Sequence, residues 1–160
     1  MMGLCVVLHH FAARVSGRAQ GACVMLSNVS SIHVADDTFV AASPDLVARE
    51  LQDRADWSRW WPDLSVTVQE DRGDKGVRWR VGKSLDGTME VWLEPVLDGT
   101  MIHYFLHAEP VGQSPLSFPE LAQANRSWRA TGRAMAFEVK FRAERGRRPG
   151  EPAVSSATSG

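Results

Sequence analysis

The sequence predicts an α+β domain, an antiparallel sheet of about five strands and a long C-terminal helix, with two short helices after the first strand. Three observations predict it. Alternating apolar and polar residues recur in separate runs from Leu64 to His107, each bounded by turn-forming residues. A helix-compatible stretch from Glu120 to Glu144 follows them. Ser43-Pro44 places a helix start early in the chain, because serine favours the cap position and proline the first turn.

Asp37 to Ala42 reads as a short first strand ending at that start. Leu46, Val47 and Leu51 then recur at helical spacing, with Arg49 and Glu50 toward water. Between Ala55 and Leu64, Trp57 and Trp60 share a face if the segment is helical, and Pro62 closes it. The period then changes to two. Leu64, Val66 and Val68 alternate with polar residues up to the turn-rich Glu70 to Gly76, and Val77, Trp79 and Val81 alternate with Arg78 and Arg80. Asp86-Gly87 is expected as the next turn. Met89, Val91 and Leu93 alternate with Glu90, Trp92 and Glu94, and Asp98-Gly99 leads into Met101 to His107. There Ile102, Tyr104 and Leu106 form one face and Met101, His103, Phe105 and His107 the other. In the last helix Leu121, Trp128, Met135 and Val139 fall close to one stripe. Gly132 interrupts it at a cost of about 1 kcal/mol in helix propensity, so something must pack closely there.

With 160 residues the chain fits one domain: 1–33 as a disordered leader or mis-annotated start, 34–145 as the folded unit and 146–160 as a disordered tail. The alternative for the leader is a signal peptide, although Arg14 and Arg18 follow its apolar stretch instead of preceding it. A formal charge of −1 argues against nucleic-acid binding through net positive charge. No apolar run is long enough to span a bilayer. Cys5 and Cys23 both precede the folded unit, which points to reducing, cytoplasmic surroundings. Six tryptophans supply unusual apolar area for a core, pocket or interface.

This order of elements is uncommon. Within it, Trp57-x-x-Trp60-Trp61-Pro62, the Gly87 to Pro95 strand ending Leu93-Glu94-Pro95, and the Asp98-Gly99-Thr100 turn resemble the polyketide cyclase/dehydrase, START-like (SRPBCC) superfamily, from Ala35 to about Glu144. The resemblance implies a helix-grip fold with a cavity between the sheet and the terminal helix. Family members usually carry two more strands between the segments at Val77 and Gly87, and here a tight turn replaces them. That departure implies a smaller or one-sided cavity, and two chains associating to cover the gap.

In this frame the expected lining of a ligand space is Trp57, Trp60, Trp61, Val77, Trp79, Val81, Met89, Val91, Leu93, Ile102, Tyr104 and Leu106, closed by Trp128 and Met135 of the helix. The ligand class is an apolar small molecule, lipid or polyketide-like, bound by burial. Dense packing that leaves no hollow is the competing arrangement. A cyclase or dehydratase would need an inward acid or base, and the inward phase offers Tyr104; His103 and His107 would turn inward only on a one-residue register slip. Two same-face histidines lack a third ligand, so no metal site and no cofactor are expected. The third reading is an interaction module or homodimer using the outer face around Trp92, Met101 and Phe105.

Overall fold

The computed structural model describes residues 30–112 and 115–156. Strand β1 (Ile32–Val40) leads into helices α1 (Pro44–Leu51) and α2 (Arg54–Trp60). Strands β2 (Leu64–Asp71), β3 (Gly76–Lys83), β4 (Leu85–Val96) and β5 (Gly99–Pro110) follow, and α3 (Phe118–Ala143) closes the order. The five strands form one antiparallel sheet in the order β1-β5-β4-β3-β2. The α+β class, the shortened sheet and the long terminal helix are as the sequence predicts.

Local chemistry accounts for each boundary. Pro44 opens α1, while the Ser43 hydroxyl donates to the Asp45 carboxylate and caps no backbone amide. Asp53 caps α2 by accepting from the Ala55 amide at 2.9 Å. At the start of α3 the Glu120 carboxylate accepts from the Ser117 amide at 2.8 Å, which satisfies one of the donors a helix leaves free.

The inner sheet face and α3 share the core. Trp79, Val81, Met89, Val91, Ile102 and Leu106 are each 0% exposed, and Met135 and Val139 meet them from the helix side of the core. Helix α3 packs chiefly on β1, and α1 touches α3, β4 and the short 3-10 turn at Gly73–Lys75.

Three sequence expectations change. The first strand begins at Ile32, earlier than Asp37, and pairs with β5 from Ile32↔Ala108 to Val40↔Thr100. Its alternation is hidden by Asp36, which lies on the inner phase and is tolerated because Arg133 of α3 donates to its carboxylate. The β3–β4 turn centres on Lys83 and Ser84, and Asp86-Gly87 belongs to β4. Gly87 is there for closeness: a Cβ would lie 2.1 Å from the His107 carbonyl oxygen on β5. Finally, the segment read as a disordered tail returns to the domain, where the Val154 amide donates to Ala41 O at 2.9 Å and the Ser43 amide to Val154 O at 2.8 Å. The leader lies outside the described residues apart from its last positions.

Candidate functional site

The tryptophan segment is built into α2 and its exit. Trp57 donates its indole N–H to the Leu51 carbonyl at 2.7 Å, filling one of the acceptors left open at the end of α1. Its ring meets Trp79 of β3 edge-on, centroids 5.5 Å apart, and Trp79 meets Trp61 at 5.7 Å. Trp60 in turn packs on Trp61 at 5.6 Å. Four indoles therefore form a continuous cluster beneath α2.

Ion pairs to α3 hold α2 over this cluster. Asp56, 7% exposed, accepts from Arg142 and from Arg59, the latter at 2.7 Å. The Arg142 guanidinium holds the Asp56 carboxyl below its ordinary range, against the opposing effect of burial. Glu138 accepts from the Trp60 indole N–H and from Arg59, each at 2.9 Å, and the Arg59 hydrogen bond lowers its pKa likewise. None of the four charged groups, Asp56, Arg59, Glu138 and Arg142, was singled out from the sequence, because their pairing between α2 and α3 spans 79 to 86 residues.

Beside the cluster the helices α1 and α2 stand away from the β2–β3 end of the sheet. The resulting recess has a volume of about 300 Å³, with Ala48, Leu51, Trp57, Val68 and Val77 as its apolar wall and Gln52, Arg54 and Asp71 at its polar margin. A second recess of about 350 Å³ runs along the edge strand β2 and shares Arg54, Trp57 and Val68 with the first, so Trp57 stands between them. The register of β2 shifts between Val68 and Glu70, which bends the strand where it borders this groove.

Of the residues expected to line a ligand space, Trp57 and Val77 border the first recess. Trp60, Trp61, Trp79, Val81, Met89, Val91, Leu93, Ile102, Tyr104, Leu106 and Met135 are buried in the core cluster. Half-buried Trp128 borders a separate hollow near Leu85 and Pro110 at the start of α3. Val68 was legible as an inward residue of its strand; Ala48, Gln52 and Arg54 gave no signal.

Tyr104 is 1% exposed, its hydroxyl lies 3.4 Å from Met89 Sδ, and burial pushes its pKa up. At Gly132 the backbone of α3 rests directly on the Tyr104 ring, so sheet and helix are in contact there. Such a phenol has no ionised partner and no path to solvent through the helix side.

His103 and His107 lie on the outer face, as their phase predicts. His103 is held between two carboxylates, Nδ1 2.7 Å from Asp37 Oδ1 and Nε2 3.0 Å from Glu94 Oε2. Burial opposes its protonation, but the two carboxylates outweigh it and raise its pKa above 6.5. The His107 ring meets that of His33 on β1 at a tilt of 41°, centroids 4.5 Å apart, and burial together with that neighbour lowers its pKa. Trp92, directly opposite His103, is 38% exposed and carries the Arg72 guanidinium over its ring at 5.5 Å. Among the described residues there is no group of three or more potential metal ligands, and no helix is long and apolar enough to cross a membrane.

No protein-family model matches the sequence, and no curated protein matches it. Solved structures do match the fold. The solution structure of the Aha1 dimer from Colwellia psychrerythraea aligns with a TM-score of 0.50 at 15% identity, covering 73% of this chain and 99% of that one. The di-domain ARO/CYC StfQ from the steffimycin biosynthetic pathway aligns at 0.56 and 14% identity, covering 71% of this chain and 50% of that one. With five antiparallel strands, two short helices after the first and a long terminal helix, this chain has the helix-grip fold, which it shares with these two solved structures.

Proposed function

We propose that the protein binds an apolar small molecule in the recess between α1–α2 and the β2–β3 end of the sheet. The observation that carries this reading is the recess itself, about 300 Å³ and walled by Leu51, Trp57, Val68 and Val77. A cleft of that size reaches the lower end of the usual range for a small-molecule site, and its lining is shared between apolar side chains and polar groups. Burying apolar ligand surface there contributes about 25 cal/mol per Å² removed from water. The fold is shared with the di-domain ARO/CYC StfQ of the steffimycin biosynthetic pathway, which supports a polyketide-like ligand.

Binding without turnover fits the residues better than a cyclase. The inward acid–base candidate, Tyr104, is sealed against Gly132 and Met89 and does not border the recess. General acid–base catalysis requires a group within hydrogen-bond reach of the substrate. A second reading keeps the outer sheet face as a contact surface between two copies of the chain, favoured by Trp92 standing exposed beside Met101 and Phe105.

The test is a titration of the purified chain with an environment-sensitive naphthalene dye, followed by dye emission and by melting temperature. Wild type should bind and melt higher, as any ligand of the native state requires. Val68→Trp, which fills the recess from the half-buried β2 edge, should lose both effects while remaining folded. Binding unchanged in Val68→Trp, or absent in wild type, would contradict the assignment.

A further inference from the structure

Two buried indole N–H groups in the cluster have no acceptor among the described residues, those of Trp61 and Trp79. Trp61 is 1% exposed and Trp79 0%. The other two indoles of the cluster are paired, Trp57 to Leu51 O and Trp60 to Glu138. A buried donor left unpaired is costly, and native proteins rarely leave one without cause. Two in one contact network next to a recess is a local concentration of unused donors.

Their placement distinguishes them. Trp79 follows Val77 by two residues on the same face of β3 and pairs across to Val68, and both of those residues wall the recess. Its ring also touches Trp57, the side chain that stands between the two recesses. Trp61 lies one indole farther in, against Trp79. The Trp79 ring therefore lies behind Trp57, one side chain from the recess.

We propose that the Trp79 indole N–H is the polar anchor of the site, and that the ligand is an uncharged polycyclic or lipid-like molecule carrying a carbonyl or ether oxygen toward its buried end. This rests on the binding reading above and narrows its ligand class. An indole offers a donor and no acceptor, so it selects an oxygen acceptor over a plain hydrocarbon. A carboxylate is disfavoured at that depth, because desolvating a charge costs far more than one neutral hydrogen bond returns. The Trp57 ring must turn aside for the oxygen to reach Trp79; its hydrogen bond to Leu51 O is what holds it in place.

The test uses two three-ring probes of nearly equal shape, 9-fluorenone with a carbonyl and fluorene without one, titrated into wild type, Trp79→Phe and Trp61→Phe. Wild type should bind fluorenone about tenfold more tightly than fluorene, the ratio one good hydrogen bond produces. Trp79→Phe should bring the ratio to near one with fluorene affinity retained, and Trp61→Phe should keep it. In wild type labelled with ¹⁵N at the indoles, fluorenone should move the Trp79 N–H resonance and fluorene should leave it nearly in place, which covers the case of a variant that does not fold. Equal affinities for the two probes in wild type, or a ratio that survives Trp79→Phe, overturns the anchor and leaves the binding site standing. Binding of neither probe overturns the binding reading and the anchor with it.

Discussion

Gly132 of α3 lies against the ring of Tyr104 on β5, so closely that a Cβ at residue 132 would sit 2.2 Å from Tyr104 Cε1 and 2.8 Å from Cζ. Tyr104 cannot retreat, being fully enclosed beside Met89. The contact fixes where the helix crosses the sheet and closes the space between them at that point.

Gly132→Ala should therefore destabilise the domain. Alanine gains about 1 kcal/mol of helix propensity, but overpacking against an immovable ring costs about 1–3 kcal/mol, more than the gain in a well-packed core. Adding Tyr104→Val should recover part of the loss, since the two sites are in contact and couple. Denaturant midpoints measure both. A Gly132→Ala variant more stable than wild type would show that the helix can lift from the sheet.

Asp56 should be the most sensitive position of the α2–α3 junction. Replacing it with Asn takes one carboxylate from Arg142 and Arg59, which stay partly exposed and keep Glu138, a change expected to cost about 1 kcal/mol. Because its folded-state pKa is depressed, the stability it contributes is present above 3.8 and drains as pH falls through the lower folded value. Wild type should lose stability in that acid range, and Asp56→Asn should show a shallower loss when melting is followed against pH.

The histidines of the outer face give opposite signs. His103 has a raised pKa, so its contribution is complete below 6.5 and is lost as pH rises through the folded value. His107 has a lowered pKa, so its contribution is present above 6.5 and is lost as pH falls. His103→Gln should remove the decline on the alkaline side only. Melting temperatures at intervals between pH 5 and 8 decide it, and an unchanged alkaline decline in the variant would separate His103 from the effect.

If the outer face joins two chains, Trp92→Ser with Phe105→Ser should give a monomer at every concentration while the melting curve stays cooperative. Sedimentation velocity across a wide concentration range reports this. Self-association surviving both changes would place any interface elsewhere.

Much of the sheet was legible because the pleat repeats every second residue: Val77, Trp79 and Val81, and later Ile102, Tyr104 and Leu106, all lie on the inner face as their alternation predicts. Gly132 announced a close contact by being a costly residue in a helix. Gly87 misled, because a glycine demanded by the approach of a neighbouring strand looks the same in one dimension as a glycine demanded by a turn. Asp36 concealed the start of β1 for a related reason: its partner, Arg133, is 97 residues away. The recess was least legible of all, since its walls come from α1, α2, β2 and β3 and its volume depends on how far those elements stand apart.

The most direct measurement is a ¹⁵N-resolved titration of the six tryptophan indoles with an apolar dye. With the ligand seated between α1–α2 and β2–β3, the Trp57 resonance should shift saturably while Trp92 and Trp128 stay in place. Shifts confined to Trp128 or Trp92, with Trp57 unmoved, would contradict the site.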